Sequence, residues 1–327
     1  MMNNNLDQVA EAIRKAKHII VCGHAMPDGD SIGSTLAMGL FLKSMDKKVT
    51  MLTPDPIPQI YGFLPLVQEI KPPEEFPDDA DTAVILDCTD LNRVGAYLAE
   101  RLKKVPVLIN IDHHISNQVY GTYNYIDATA AATGEQVYRL INVFDKPVNQ
   151  DLATCLYVAV VMDTGSFRYE NTTDKTHMIC AELLKTGINA AYINTCLFEN
   201  KDVTGLLLLG RALSRLKVSD CGRVAWISIP LQLAQELGAK DEHAEGIVNY
   251  PRQVRGTVVG LLFREIAPNR VKVGFRSKEA VDVNKLAAFF GGGGHPKAAG
   301  CQIEMPLQEA EEKVLAAVLA HIGNSHC

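Results

Sequence analysis

His18-Ile19-Ile20-Val21-Cys22 runs straight into Gly23-His24-Ala25-Met26-Pro27-Asp28-Gly29-Asp30, and a helical pattern follows from Ser31 to Met45. An unbroken apolar run of five residues is the signature of a strand buried on both faces, as in a parallel sheet. A polar Gly/Pro/Asp loop then hands over to a helix. The same grammar recurs outward from this point. An amphipathic helix is expected over Leu6 to Ala16, and strands over Val49 to Leu52, Ala83 to Leu86 and Val105 to Ile111. Helices are expected over Ala130 to Val143, Gln150 to Val161 and Asp174 to Lys185, with loops at Pro54 to Pro58 and Pro72 to Asp81. Strand–helix alternation of this kind predicts an α/β fold with a largely parallel sheet.

Beyond residue 186 the texture changes. Residues 187–216 carry no strand signal and read as a helical connector. Hairpins are expected over Val218 to Ile229 and Gly256 to Arg276, the second turning at Pro268-Asn269. Helices should follow around Asp282 to Phe290 and Leu307 to His321, on either side of Gly291-Gly292-Gly293-Gly294. The chain of 327 residues therefore divides into an N-terminal parallel-sheet domain (1–186), the connector, and a smaller mixed α/β domain (217–327).

Composition narrows the function. Hydrophobic residues make up 47% and charged residues 21%, ordinary values for a globular protein. A net charge of −6 argues against binding along duplex nucleic acid, although a concentrated cationic pocket would still accept a phosphate compound. The eight cysteines are scattered without a Cys-x-x-Cys pair, and apolar runs fall far short of a membrane span. The N-terminus lacks the layout of a signal peptide. These features predict a reduced, cytoplasmic protein that does not enter a membrane. A homodimer is compatible with the chain, but no segment identifies an interface.

Four polar clusters sit where apolar segments stop. They are His24 to Asp30, Asp87 after Leu86, Asp112-His113-His114, and Asp163-Thr164-Gly165 after Met162. Ligands of open α/β sheets sit beyond the carboxyl ends of the strands, so these clusters are expected in one crevice. Any one aspartate there would be unremarkable as a helix cap or turn former, and any one histidine as a satisfied core residue. Their coincidence at four segment ends is not. Asp28, Asp30, Asp87, Asp112 and Asp163 together would repel strongly, and divalent cations relieve that. Mixed His and Asp donors suit manganese, zinc, iron or cobalt better than calcium. Such a set suits two metals sharing a carboxylate, the arrangement that hydrolyses phosphoesters. In the second domain, Gly291 to Gly294 with His295 and Lys297 could cradle an anion, and Arg264 and Arg276 lie on the neighbouring hairpin.

At these residues the sequence resembles the DHH phosphoesterase family, named for the triplet that here is Asp112-His113-His114. The match includes His24-x-x-x-Asp28-x-Asp30, Asp87 and Asp163-Thr164-Gly165-Ser166-Phe167. Arg276-Ser277-Lys278, Asp282-Val283-Asn284 and Gly291 to Gly300 resemble the DHH-associated domain. The compact length is similar to the branch that degrades short RNA oligonucleotides to mononucleotides, and 3′-phosphoadenosine 5′-phosphate to AMP and phosphate. The resemblance implies two Mn²⁺ ions, one held by His24, Asp28 and Asp87, the other by Asp30, Asp87, His113 and Asp163, with Asp87 bridging. It implies that His114 contacts the scissile phosphate and that Asp112 orients the histidines. Arg276, Asn284, Gly293, Gly294 and His295, with Arg264, are the expected substrate-binding groups. A manganese pyrophosphatase or polyphosphatase of the same family is the nearest rival, and a non-catalytic nucleotide sensor the rival from another class.

Overall fold

The computed structural model describes residues 3–278, 281–294 and 296–323. Contacts divide the chain into two compact units, Met1–Asn200 and Lys201–Cys327.

The first unit contains five strands, β1 (His18–Cys22), β2 (Lys48–Leu52), β3 (Thr82–Leu86), β4 (Val107–Asp112) and β5 (Tyr123–Ile126). They form one wholly parallel sheet in the order β2-β1-β3-β4-β5. Its helices are α1 (Leu6–Lys15), α2 (Gly29–Lys43), α3 (Ala96–Leu102), α4 (Thr133–Val143), α5 (Gln150–Asp163), α6 (Asp174–Lys185) and α7 (Ala190–Asn194). Successive strand side chains point to opposite faces, and here both faces are covered. Ile19, Val21, Val84, Leu86, Ile109 and Ile111 join the core that also holds α1, α2, α4 and α5. Ile20, Cys22, Ala83, Ile85 and Leu108 join a second cluster with Leu98, Ala99 and Leu102 of α3. That is why the strands read as continuous apolar runs rather than alternating ones.

The two central helices, α2 and α5, are buried over most of their length. They approach closely because α2 offers a glycine at the crossing. A Cβ on Gly33 would lie 2.5 Å from the Cys155 carbonyl oxygen and 3.0 Å from Ala159 Cβ. This contact sets the start of α2 against the end of α5. The strand order also reverses at β1, with β2 on one side and β3 on the other, so a crevice opens between the carboxyl ends of β1 and β3.

The second unit begins with α8 (Val203–Leu213), followed by β6 (Lys217–Val218), β7 (Val224–Ile229), α9 (Leu231–Glu236) and α10 (Asn249–Gln253). Then come β8 (Val259–Ala267), β9 (Arg270–Ser277), α11 (Val283–Phe289), β10 (Gly293–Gly294), β11 (Ala298–Glu304) and α12 (Leu307–His321). Its mixed sheet runs β10-β11-β9-β8-β7-β6, with β7 and β8 parallel and the other pairs antiparallel. The β8–β9 hairpin turns at Pro268-Asn269, with Asn269 at φ 57°. The division between units falls inside the 187–216 stretch. Ile188, Ile193 and Leu197 pack into the core of the first unit, whereas Leu208 and Ala212 of α8 pack with Ile227, Ile229 and Leu262 of the second.

Candidate metal centre

Each loop of the crevice is held by a specific local device. Asp28 caps α2, its Oδ1 accepting the N–H groups of Asp30 and Ser31, both at 3.1 Å. Asp30, in the first turn of α2, is 1% exposed and reaches the N-terminus of α4. The Thr133 N–H donates to its Oδ2 at 2.7 Å, and the Gly134 N–H to its Oδ1 at 2.9 Å. Ser34 Oγ–H donates to the same Oδ1 at 3.0 Å. Free N–H groups and the helix dipole at that terminus favour a carboxylate. Asp87 follows β3 directly and adopts φ 57°, a left-handed conformation in which aspartate is tolerated better than most residues.

The histidines are oriented by carbonyls. His24 Nδ1–H donates to the Ala25 carbonyl at 2.8 Å, and His113 Nδ1–H to the Ala130 carbonyl at 3.2 Å. A carbonyl can only accept, so both rings carry a proton on Nδ1, and that bond turns Nε2 into the crevice. Those Nε2 atoms face carboxylates. His24 Nε2 lies 3.3 Å from Asp87 Oδ2 and 3.7 Å from Asp28 Oδ1. His113 Nε2 lies 3.6 Å from Asp87 Oδ1, 3.5 Å from Asp163 Oδ2 and 3.8 Å from Asp30 Oδ2. The two oxygens of Asp87 thus face two different histidines.

Two ligand groups result, His24 with Asp28 and Asp87, and Asp30 with His113 and Asp163; a third, Asp87 with His113 and His114, overlaps them. Within each group the donor atoms lie within 4.8 Å of one another. Burial and the neighbouring Asp87 charge push the carboxyls of Asp30 and Asp163 well above the usual range. Burial opposes charge on His24, but its hydrogen bonds to Asp28 and Asp87 prevail and raise it to about 11. Crowded carboxylates, ring nitrogens turned towards them and fixed second partners are the environment a divalent cation fits.

His114 is arranged differently. Its Nδ1–H donates to Asp112 Oδ1 at 2.5 Å and lies 3.5 Å from Asp87 Oδ1. Burial lowers its affinity for a proton, yet Asp112 and Asp87 outweigh that and raise it to about 9. Asp112 is fully buried and is braced from behind by Asn117, whose Nδ2 donates to Asp112 Oδ2 at 2.6 Å and to Asn110 Oδ1 at 2.8 Å. Asn171 similarly holds the end of α5, donating to the Asp163 carbonyl at 3.1 Å and to the Ala131 carbonyl at 2.9 Å. Thr133, Gly134, Asn117 and Asn171 are not conspicuous in sequence. Asn117, three residues after the His113-His114 pair, is the one a search for polar companions of the triplet could have found.

Of the groups expected in the second unit, Arg276, Asn284, Gly293 and Gly294 lie close together. Arg276 pairs with Ala298 across β9 and β11, and Gly294 pairs with the next residue, Ala299. A Cβ on Gly293 would lie 3.8 Å from Asn284 Oδ1. Gly293 and Gly294 form an edge ladder with Gly300 and Ala299 rather than a free loop. Arg264 is not with them. It pairs with Lys272 while Arg276 pairs with Gly260, four positions along the same ladder, or roughly 13 Å. Its guanidinium binds Asp241, with Nη1 3.4 Å from Oδ1. His295 lies outside the described residues.

A parallel α/β sheet with clustered carboxylates and imidazoles beyond its strand ends offers, at a topological switch point, groups of a kind suited to divalent cations. The N-terminal domain model of the DHH family matches residues 18–160, and the DHHA1 domain model matches residues 227–324. A Thermus thermophilus protein named bifunctional oligoribonuclease and PAP phosphatase NrnA is 33% identical over 312 residues, covering 95% of this chain and 92% of its own. A Bacillus subtilis protein of the same name is 27% identical over 291 residues, covering 87% and 89%. The solved structure of an exopolyphosphatase-related protein from Bacteroides fragilis superposes with a TM-score of 0.92 at 28% identity, covering 96% and 95%. The chain belongs to the DHH family. No helix among the described residues is long and apolar enough to cross a membrane.

Proposed function

We propose that this protein is a metal-dependent phosphoesterase that hydrolyses short RNA oligonucleotides to mononucleotides, and 3′-phosphoadenosine 5′-phosphate to AMP and phosphate. The observation that carries this reading is Asp87, whose two carboxylate oxygens face His24 and His113, one from each ligand group. His24, Asp28 and Asp87 would hold one cation, and Asp30, Asp87, His113 and Asp163 the other. The donor chemistry suits Mn²⁺. When bound, such a pair polarises a phosphoryl oxygen and lowers the pKa of water near neutrality.

The chain's own residues do the rest. His114, fixed by Asp112, presents its other ring nitrogen as a hydrogen-bond donor to the scissile phosphate, with Asn117 keeping Asp112 in place. Arg276, Asn284, Gly293 and Gly294 are the proposed binding groups for the remainder of the substrate, together with His295 and, less directly, Arg264. Binding energy from such remote groups is what positions a short substrate for attack. We place the activity in the cytoplasm.

The test is a chromatographic product time course with Mn²⁺. Di- to pentanucleotide RNAs, 3′-phosphoadenosine 5′-phosphate, pyrophosphate and polyphosphate are supplied separately. Mononucleotides from the RNAs, and AMP with phosphate from the bisphosphate, are expected. Phosphate from pyrophosphate or polyphosphate alone, or nucleotide binding without turnover, overturns the proposal.

A further inference from the structure

Five arginines lie in the first unit, at positions 14, 93, 101, 139 and 168. Three are tied to carboxylates, Arg14 to Glu11, Arg101 to Asp78, and Arg139 to Asp127 and Glu135. Arg93 and Arg168 have no carboxylate within ion-pairing distance among the described residues, and these two follow the crevice aspartates Asp87 and Asp163 in sequence. Arg168 Nε–H donates back to the Gly165 carbonyl at 2.5 Å, which folds that side chain over its own turn. The Arg93 guanidinium is exposed and makes neither hydrogen bond nor ion pair among the described residues. Its backbone, by contrast, is pinned. Asp90 caps a short 3₁₀ turn, Leu91–Val94, its Oδ1 accepting the Asn92 N–H at 2.9 Å. Val94 is buried with Leu98 and Ala99. The Arg93 carbonyl accepts the Ala25 N–H at 2.7 Å, next to His24, and on the other flank the Thr89 carbonyl accepts the Gln118 N–H at 2.8 Å. The loop that leaves β3 therefore crosses to the end of β1, over the switch point where ligands of such sheets sit.

We infer that Arg93 grips a second phosphate of the substrate, one that is not cleaved, and so sets a preference for nucleotides that carry a phosphate besides the scissile one. The inference rests on the phosphoesterase reading above and names the residue that selects within it. A guanidinium with five unused donors is a strong, bidentate partner for a phosphate. The protein supplies it with no anion. Asp28 and Asp87, the carboxylates nearest in the fold, face His24 instead, and neither pairs with Arg93. The scissile phosphate belongs against those carboxylates, with the cations between. The anion that satisfies Arg93 therefore lies outside the donor groups yet is joined covalently to what occupies them. In 3′-phosphoadenosine 5′-phosphate that anion is the 5′-phosphate, and in a short RNA it is the adjoining phosphate. A substrate without it leaves the fork to water, and the binding energy that would position the reacting phosphate is lost.

The test pairs ligands that differ by that phosphate alone. AMP, which retains the 5′-phosphate, and adenosine are titrated calorimetrically into the full chain loaded with Mn²⁺, where no bond is cleaved. Wild type should bind AMP at least ~10-fold more tightly than adenosine. Arg93→Gln should weaken AMP binding ~10–100-fold and leave adenosine unchanged, while Arg93→Lys, which keeps the charge without the fork, should fall between. Glutamine keeps the backbone carbonyl that holds Ala25, so the His24 loop stays in place. In turnover, kcat/KM of Arg93→Gln should fall ~10–100-fold for 3′-phosphoadenosine 5′-phosphate and stay level for 3′-AMP, which lacks the second phosphate. Arg168→Gln, which removes an equal charge beside Asp163, should leave the AMP-to-adenosine ratio alone. An unchanged AMP affinity in Arg93→Gln overturns the inference, as does a wild type with no preference for AMP. Equal losses on both substrates, or an equal loss of AMP binding in Arg168→Gln, overturn it too. Failure of the phosphoesterase reading shows separately, as wild-type protein that turns over neither substrate.

Discussion

Replacing Asp163 with asparagine should make the metal-free protein more stable while making the enzyme worse. Asp30 and Asp163 each offer an oxygen to the same group around His113, so those oxygens lie within 4.8 Å of each other. Without a cation, two ionised carboxylates at that distance repel by about 3 kcal/mol at an effective dielectric constant of about 20. The Asp163 side chain is 31% exposed, and solvent screening reduces the figure to roughly 1–2 kcal/mol. Asparagine keeps the shape and removes the charge. In EDTA at about pH 8, where both acids are driven towards ionisation, the first unit of Asp163→Asn should melt about 2–8 °C higher than wild type. Adding Mn²⁺ should reverse the order. A cation at about 100 times its Kd stabilises the native state by about 2.7 kcal/mol, and loss of a ligand weakens binding at least ~10–100-fold, which removes most of that gain. The assay is calorimetry of both proteins, chelated and loaded, with turnover measured alongside. A lower melting temperature for the variant in EDTA, or an equal rise for both on adding Mn²⁺, would refute the idea that mutual repulsion is what the cation relieves.

Two other substitutions probe the supports of the fold. Gly33→Ala would drive a methyl group to 2.5 Å from the Cys155 carbonyl oxygen, forcing α2 off α5; an overpacking cost of ~1–3 kcal/mol should appear in calorimetry as a drop of about 2–10 °C. Turnover should fall as well, because α2 carries Asp28 and Asp30, and an unchanged melting temperature would mean the crossing is looser than described. In the second unit, Glu311 accepts hydrogen bonds from Trp226 Nε1 at 2.8 Å, Lys217 Nζ at 2.8 Å and Ser228 Oγ at 2.5 Å. Burial would raise its pKa, but those donors prevail and hold it below its ordinary 4.5. A depressed carboxyl contributes its stability above the unfolded value and loses it as pH falls through the folded value. Glu311→Gln should therefore cost roughly 1–2 kcal/mol at pH 7 in urea unfolding, shrinking as pH falls below 4.5; a gap that does not narrow would contradict the assignment.

Much of this architecture is legible residue by residue. His18–Cys22, Asp174–Lys185 and Leu307–His321 occupy the spans their patterns predict, because long or fully buried apolar periodicity leaves little choice. The strand Tyr123–Ile126 does not announce itself. It is four residues long, lies at the sheet edge and mixes Asn124 with two tyrosines, so neither alternation nor an apolar run marks it. Helix Ala96–Leu102 is hidden for another reason, since Gly95 at its start supplies no capping side chain. In the crevice, the aspartates and histidines stand out because they interrupt apolar segments. Their supports do not. Asp30 is held chiefly by the backbone N–H groups of Thr133 and Gly134, and a backbone group has no signature in a sequence. The separation of Arg264 from Arg276 is likewise a matter of strand register, which a sequence leaves open until the hairpin is aligned.

The anchoring of Asp30 by residues 103 and 104 positions further on has a consequence for the birth of the protein. A ribosome extends the chain by about 5–20 residues per second, so on the order of ten seconds separates the synthesis of Asp30 from that of Asp163. During that interval β1 and the start of α2 exist without the helix ends that complete either side of the crevice. A nascent chain therefore offers only fragments of a coordination sphere. Any commitment to a particular ion would wait until α5 has emerged and closed against α2, so that the pocket, and not the first ion to arrive, would set the selection.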